Sequence, residues 1–247
     1  MVPQTYTSHN AAFRSAAVNM KDHIDIRQDI ARYVYEEIVP QYADFDSAHR
    51  EDHALTVIGQ AMELLDRMPD WIKAHKEEAE EWNDLEVDRE MLFMAAACHD
   101  LGLAGGRERH HLDSGTIIRS DLRLHEWFSE EQIETIAQAA EDHRASGKSA
   151  PRSIYGMLVA EADRVIVSET IIRRTIQFGL NNYPELDRKG HIRRAIEHLK
   201  EKYGRGGYLK LWIPWSDNAA QLSALQDIIE DAEAVYATTA SVYDSLV

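Results

Sequence analysis

Residues 91–98 read MLFMAAAC, eight apolar side chains in succession. A helix laid over this run is apolar on every side, and such a helix has to be buried. The run is too short to cross a bilayer, which takes about 20 residues. Other elements must therefore wrap it, and the flanking sequence offers them in helical form. From residue 53, Val57, Ala61, Leu64 and Leu65 fall on one helical face. The same spacing recurs in residues 111–122 (Ile118, Leu122), 130–143 (Ile133, Ile136, Ala137, Ala140), 154–172 (Leu158, Val159, Ala162, Ile166) and 222–236 (Leu225, Ile229, Ala232). Strand alternation is absent. The segment 208–215, YLKLWIPW, follows Gly204, Gly206 and Gly207 and contains Pro214, and it reads as irregular or as a single short strand. The expected fold class is all-α.

The chain has 247 residues, the size of one domain or of one domain with an appendage. Residues 1–25 read as a loosely attached segment and 26–247 as a single domain. Its one cysteine, Cys98, allows no internal disulfide, which fits a reducing cytoplasm. The N-terminus lacks the basic end and apolar stretch of a secretory signal. The formal charge of −16 argues against nucleic acid as a partner, because phosphate binding relies on Lys and Arg. No membrane partner is expected. The acidic stretch 77–86 reads as solvated, and the basic stretch 188–210 as a solvent-facing amphipathic helix. The C-terminal helix from Asp217 either covers the core or forms a homodimer contact.

Histidine is the unusual count. There are 12, and eight lie between His49 and His143. Several polar residues occupy stripes that are otherwise apolar. His53 continues the stripe of Val57 and Ala61, and His111 that of Gly115 and Ile118. His143 continues Ile136 and Ala140, while Asp163 lies among Val159, Ala162 and Ile166. His99 and Asp100 end the apolar helix. Taken singly, each has an ordinary explanation: a hydrogen-bonded core histidine, or an Asp163 salt bridge with Arg164 or Arg173. Together they are harder to explain, since a buried carboxylate costs several kcal/mol unless paired or coordinated. A divalent cation is the partner such a set can share, and imidazole with carboxylate suits Mn, Fe, Co, Ni or Zn.

In the order His53, His99-Asp100, His111, His143, Asp163, the sequence resembles the HD-domain superfamily of metal-dependent phosphohydrolases. The segments that carry the resemblance are AHREDHALTVI, AAACHDLGL, HHLDSGTII, EDHRAS and VAEADRVI, within about residues 44–173. More narrowly, the chain is similar to a bacterial group of small stand-alone HD proteins, including the segment YGRGGYLKLWIPWSDN. The resemblance implies an HD-type helical bundle with a motif core at 44–173 and a helical extension at 174–247. It implies that His53, His99, Asp100 and Asp163 hold one ion and that His111 and His143 serve a second, with Asp100 bridging. His111 is preferred to His110 because Gly115 and Ile118 follow it at i+4 and i+7. Adjacent residues of a helix point about 100° apart, so His99 and Asp100 can serve one site only at a helix end, which Leu101-Gly102 supplies.

The activity implied is hydrolysis of a small phosphorylated substrate, a nucleotide or other phosphate ester, by a metal-activated water, with one or two divalent ions, Mg included. Asp100 would position the water, and His110 or His49 would give a proton to the leaving oxygen. Arg107, Arg109, Arg144 and Lys148, with Arg152, are the cations near the motif residues that suit phosphate. The same resemblance leaves two alternatives open: a di-iron oxygenase on this fold, and a non-catalytic metal-containing binding protein.

Overall fold

The apolar run does form a central helix. In a computed structural model that describes residues 25–46, 49–144, 149–164 and 166–247, all of residues 91–98 are buried, at no more than 5% exposure. The fold is all-α, and no strand occurs among the described residues. The chain divides into two compact units, the first ending at Asp163 and the second spanning Arg164–Val247.

The first unit contains six α-helices among its described residues: α1 (Gln28–Tyr33), α2 (Glu51–Ala74), α3 (Arg89–Cys98), α4 (His110–Ser120), α5 (Glu130–Asp142) and α6 (Ile154–Ala162). The starts of α3, α5 and α6 are marked by side chains that satisfy orphan backbone donors. The Asp88 carboxylate accepts from the Glu90 and Met91 amides at the start of α3. Ser129 and Gln132 form a reciprocal capping box on α5. Ser153 accepts from the Gly156 amide on α6. Helix α3 packs against α2, α5 and α6, and α4 lies along α5. The buried core of this unit includes Val57, Ile58 and Ala61 from α2 and Ile136, Ala137 and Ala140 from α5.

The second unit consists of α7 (Ser168–Asn182), α8 (Arg188–Tyr203), α9 (Asn218–Glu230) and α10 (Ala232–Asp244). Asp187 and Asp231 cap α8 and α10. The segment 208–215 is irregular, and its first two amides donate to Glu201 and Lys202 carbonyls at the end of α8.

Three local expectations change. Residues 154–172 form two helices rather than one, since α6 ends at Ala162 and α7 begins at Ser168. Residues 222–236 are likewise divided, at Asp231, whose extended backbone (φ −80°, ψ 107°) both ends α9 and caps α10. Leu122 is 81% exposed rather than inward. The chain leaves the helix at Asp121 (φ −81°, ψ 102°), so Leu122 is off the stripe that Ile118 belongs to. Residues 1–24 lie outside the described residues.

Candidate metal centre

The polar residues singled out above gather at helix ends. His53 sits in the first turn of α2 and His110 is the first residue of α4. His99 follows the last residue of α3, His143 that of α5 and Asp163 that of α6. The turn at His99-Asp100 is visible in the backbone. His99 keeps helical angles (φ −56°, ψ −34°), and Asp100 departs to φ −111°, ψ 7°. That departure lets two adjacent side chains serve one site.

Asp100 lies at the middle of two triads, His53–His99–Asp100 and Asp100–His110–His143, whose donor atoms fall within 4.8 Å of one another. Its two oxygens are divided between them. Oδ2 is 3.4 Å from His99 Nε2 and 3.7 Å from His53 Nε2. Oδ1 is 3.3 Å from His143 Nε2 and 3.5 Å from His110 Nε2. Asp163 Oδ1 joins the first group, 3.2 Å from His53 Nε2 and 3.9 Å from His99 Nε2.

Three histidines share one local device. The Nδ1 atoms of His99, His110 and His143 each donate to the carbonyl three residues earlier, of Ala96, Arg107 and Ala140. For His99 and His143 those carbonyls belong to the last turn of a helix, where they lack an intrahelical partner. A carbonyl only accepts, so Nδ1 carries the ring proton, and Nε2 presents a lone pair to the cluster. His110 and His143 thus bring Nε2 atoms together at 3.2 Å, and His53 and His99 do so at 3.3 Å. Two lone pairs at that distance, as His110 and His143 present, repel unless a positive charge, a proton or a metal ion, stands between them. The donor set therefore fits a divalent cation on each side of Asp100.

Without an ion, the same groups hold one another's charge. Burial by itself would raise the Asp100 carboxyl, but the charge of His99 and the contacts with His143 and His53 hold it well below the usual carboxylate range. Asp163 is likewise held low against its burial, by His53 and then His99. Burial disfavours the charged His53 ring, yet Asp100 and Asp163 outweigh it and push its pKa up to about 9.

One expected ligand changes places. His110, not His111, enters the cluster, because the two adjacent rings diverge at the first turn of α4 and only the His110 ring is turned back onto the Arg107 carbonyl. His111 Nδ1 is buried without a hydrogen-bond partner, and burial, with Arg144 nearby, pushes the ring down to about 4. The His110 Nε2, expected to serve a leaving oxygen, faces Asp100 Oδ1 at 3.5 Å and His143 Nε2 at 3.2 Å.

His49 is close to the cluster but outside it. Its ring meets the His53 ring edge-on at 5.5 Å, and its Nδ1 is 2.8 Å from Asp46 Oδ1. Arg107 is 67% exposed and reaches the other Asp46 oxygen at 3.1 Å. Arg109 is exposed at the start of α4. Arg144 donates to the Glu108 carbonyl at 2.7 Å, and Arg152 clamps Asp142 and Glu141. Lys148 lies outside the described residues.

Two residues of the site were missed by sequence reasoning. The Tyr42 side chain is fully buried, and its hydroxyl donates to the Ala97 carbonyl at 2.8 Å while accepting from the Asp100 amide at 3.2 Å. It holds the corner at which Asp100 turns. Asp46 joins His49 to Arg107. Neither residue belongs to a periodic pattern, and no sequence signal marks them.

A family model described as HD domain matches residues 50–167. No curated protein and no solved structure matches the chain.

Proposed function

We propose that this chain, whose residues 50–167 match the HD-domain family model, is a metal-dependent phosphohydrolase acting on a small phosphorylated substrate. The observation that carries this reading is Asp100, whose two oxygens each face a pair of imidazole nitrogens. His53, His99, Asp100 and Asp163 would hold one ion, and Asp100, His110 and His143 the second. Bound divalent ions supply a hydroxide nucleophile at neutral pH and charge that offsets the phosphate.

The remaining work belongs to the chain's own side chains. The hydrogen bond that His49 Nδ1 donates to Asp46 commits that nitrogen and leaves Nε2 as the one that exchanges a proton with a leaving oxygen. Arg109, exposed at the start of α4, offers a guanidinium group to phosphate oxygens, while Arg107 is held in an exposed ion pair with Asp46. The buried Tyr42 hydroxyl keeps the Asp100 backbone in register.

The test is elemental analysis of protein purified without chelator or affinity metal, followed by a phosphate-release screen. About two transition-metal ions per chain are expected, as for a dinuclear hydrolase. Asp100→Ala is expected to abolish phosphate release while helix content by circular dichroism is unchanged. Activity that survives this substitution removes the site from consideration. Oxygen consumption by iron-loaded protein with no phosphate release would replace hydrolysis with oxygenase chemistry.

A further inference from the structure

An open cleft of about 450 Å³ lies within the first unit, on chain segments that contact the cluster without including it. Its walls are two chain segments. One includes Gln41, Asp44, Phe45 and Asp46 and leads toward His49 and His53. The other includes Leu103, Ala104 and Arg107 and runs between Asp100 and His110. Both walls are tied to the cluster. Asp46 holds His49, whose ring touches that of His53, and the Leu103 amide donates to the Asp100 carbonyl at 2.9 Å. Phe45 packs its ring on Tyr42 at 5.2 Å, and Tyr42 in turn holds Asp100. The volume falls in the range of small-molecule sites, about 300–1,000 Å³.

The lining has a definite chemistry. Leu103, Ala104 and Phe45 give it an apolar part that suits the face of a ring. Asp44 and Asp46 present carboxylates. Gln41 spends one amide hydrogen on the Glu37 carbonyl at 2.8 Å and keeps its acceptor oxygen and one further N–H. Arg107 is the one cation among the lining residues, and Asp46 already balances it at 3.1 Å. The charge left over is that of Asp44. Such a surface welcomes hydroxyl or amino donors and repels a further phosphate.

We propose that this cleft is the leaving-group subsite, and that it selects monophosphate esters of a hydroxyl-bearing ring, a sugar or nucleoside, against polyphosphates. The proposal rests on the phosphohydrolase reading above and narrows its substrate class. Asp44 is the specificity-determining residue, because it supplies the unbalanced charge and no hydrogen bond of the cluster depends on it.

The experiment compares ribose 5-phosphate and adenosine 5′-monophosphate with ATP, using the full chain loaded with manganese. For the wild type, kcat/KM for each monophosphate should exceed that for ATP by about tenfold or more. Asp44→Lys should narrow that ratio by about tenfold, and Asp44→Asn by less. A wild type that prefers ATP, or a ratio that Asp44→Lys leaves unmoved, overturns the subsite while leaving hydrolysis intact. Absence of phosphate release from all three compounds with manganese, iron and magnesium overturns the phosphohydrolase reading instead. The cleft is then judged by equilibrium dialysis of labelled ribose 5-phosphate and ATP against the wild type and Asp44→Lys. A preference for ribose 5-phosphate that the lysine reverses upholds the subsite, and equal binding overturns it.

Discussion

At the scale of single residues, the exchange of His110 for His111 shows how finely the centre depends on one helical step. Both rings leave the first turn of α4, but only His110 has a backbone carbonyl within reach of its Nδ1, and that bond turns Nε2 onto Asp100. His111 stays neutral with an unpartnered nitrogen. His110→Ala is therefore expected to lower the metal content by about one ion per chain, the loss of one ligand set in a dinuclear site. His111→Ala should retain the wild-type content. Elemental analysis of the two variants side by side checks this: an ion lost from His111→Ala and kept by His110→Ala would return the ligand assignment to His111, and equal content in both would remove His110 from it. The same logic explains why adjacent His99 and Asp100 both serve the site: the backbone turns between them.

Among the elements, α4 is located by contacts that reach beyond its own sequence. The turn Leu101–Gly105 packs against it so closely that a Cβ on Gly102 would lie 2.0 Å from the His110 carbonyl oxygen and 2.6 Å from the Ser114 amide nitrogen. Both are backbone atoms, which cannot rotate away. Gly102→Ala should cost about 3 kcal/mol in urea unfolding, the upper end of overpacking effects, and should also reduce metal content by displacing His110. Helix α4 is further held to α5 by Arg119, which donates to Glu134 and to Glu141. The Arg119 guanidinium, ahead of the Gln138 amide, holds the Glu134 carboxyl down at about 2, from an ordinary value of 4.5. A carboxylate lowered in the folded state adds stability above its unfolded value and loses it as pH falls through the folded one. The stability difference between wild type and Arg119→Ala should accordingly be full above pH 4.5 and shrink toward pH 2, as read from urea midpoints. Glu134 is 46% exposed, so water screens the pair and the difference at neutral pH should stay near 1 kcal/mol.

For the whole molecule, the consequence of a shared cation is that metal and fold stabilise each other. The candidate ligands at the ends of α2, α3, α4, α5 and α6 are brought together only in the native state, so an ion held by them would bind the folded chain and not the unfolded one. At a hundredfold excess over its Kd, an ion adds about 2.7 kcal/mol, which for a chain of this size raises Tm by about 5–10 °C. Removal of metal with a chelator should lower Tm by that amount in a thermal melt, and readdition should restore it. An unchanged Tm would mean that the histidines are satisfied without an ion. No helix among the described residues is long and apolar enough to cross a membrane.

Much of this was legible in the sequence. Periodicity is local, so the apolar run at 91–98 and the stripes of α2 and α5 announced helices and their inward faces. The cost of burying charge is equally independent of fold, so His53, His99, Asp100, His143 and Asp163 stood out as residues needing a common partner. The breaks at Asp163 and Asp231 were less visible, because apolar spacing continues across a point where the backbone changes direction. Tertiary structure alone decided which of two adjacent histidines faces Asp100, that Tyr42 holds the corner, and that Asp46 links His49 to Arg107. Those choices depend on contacts between segments far apart in the chain, such as Gly102 against α4 and Tyr42 against Asp100, and the order of residues along one helix carries no record of them.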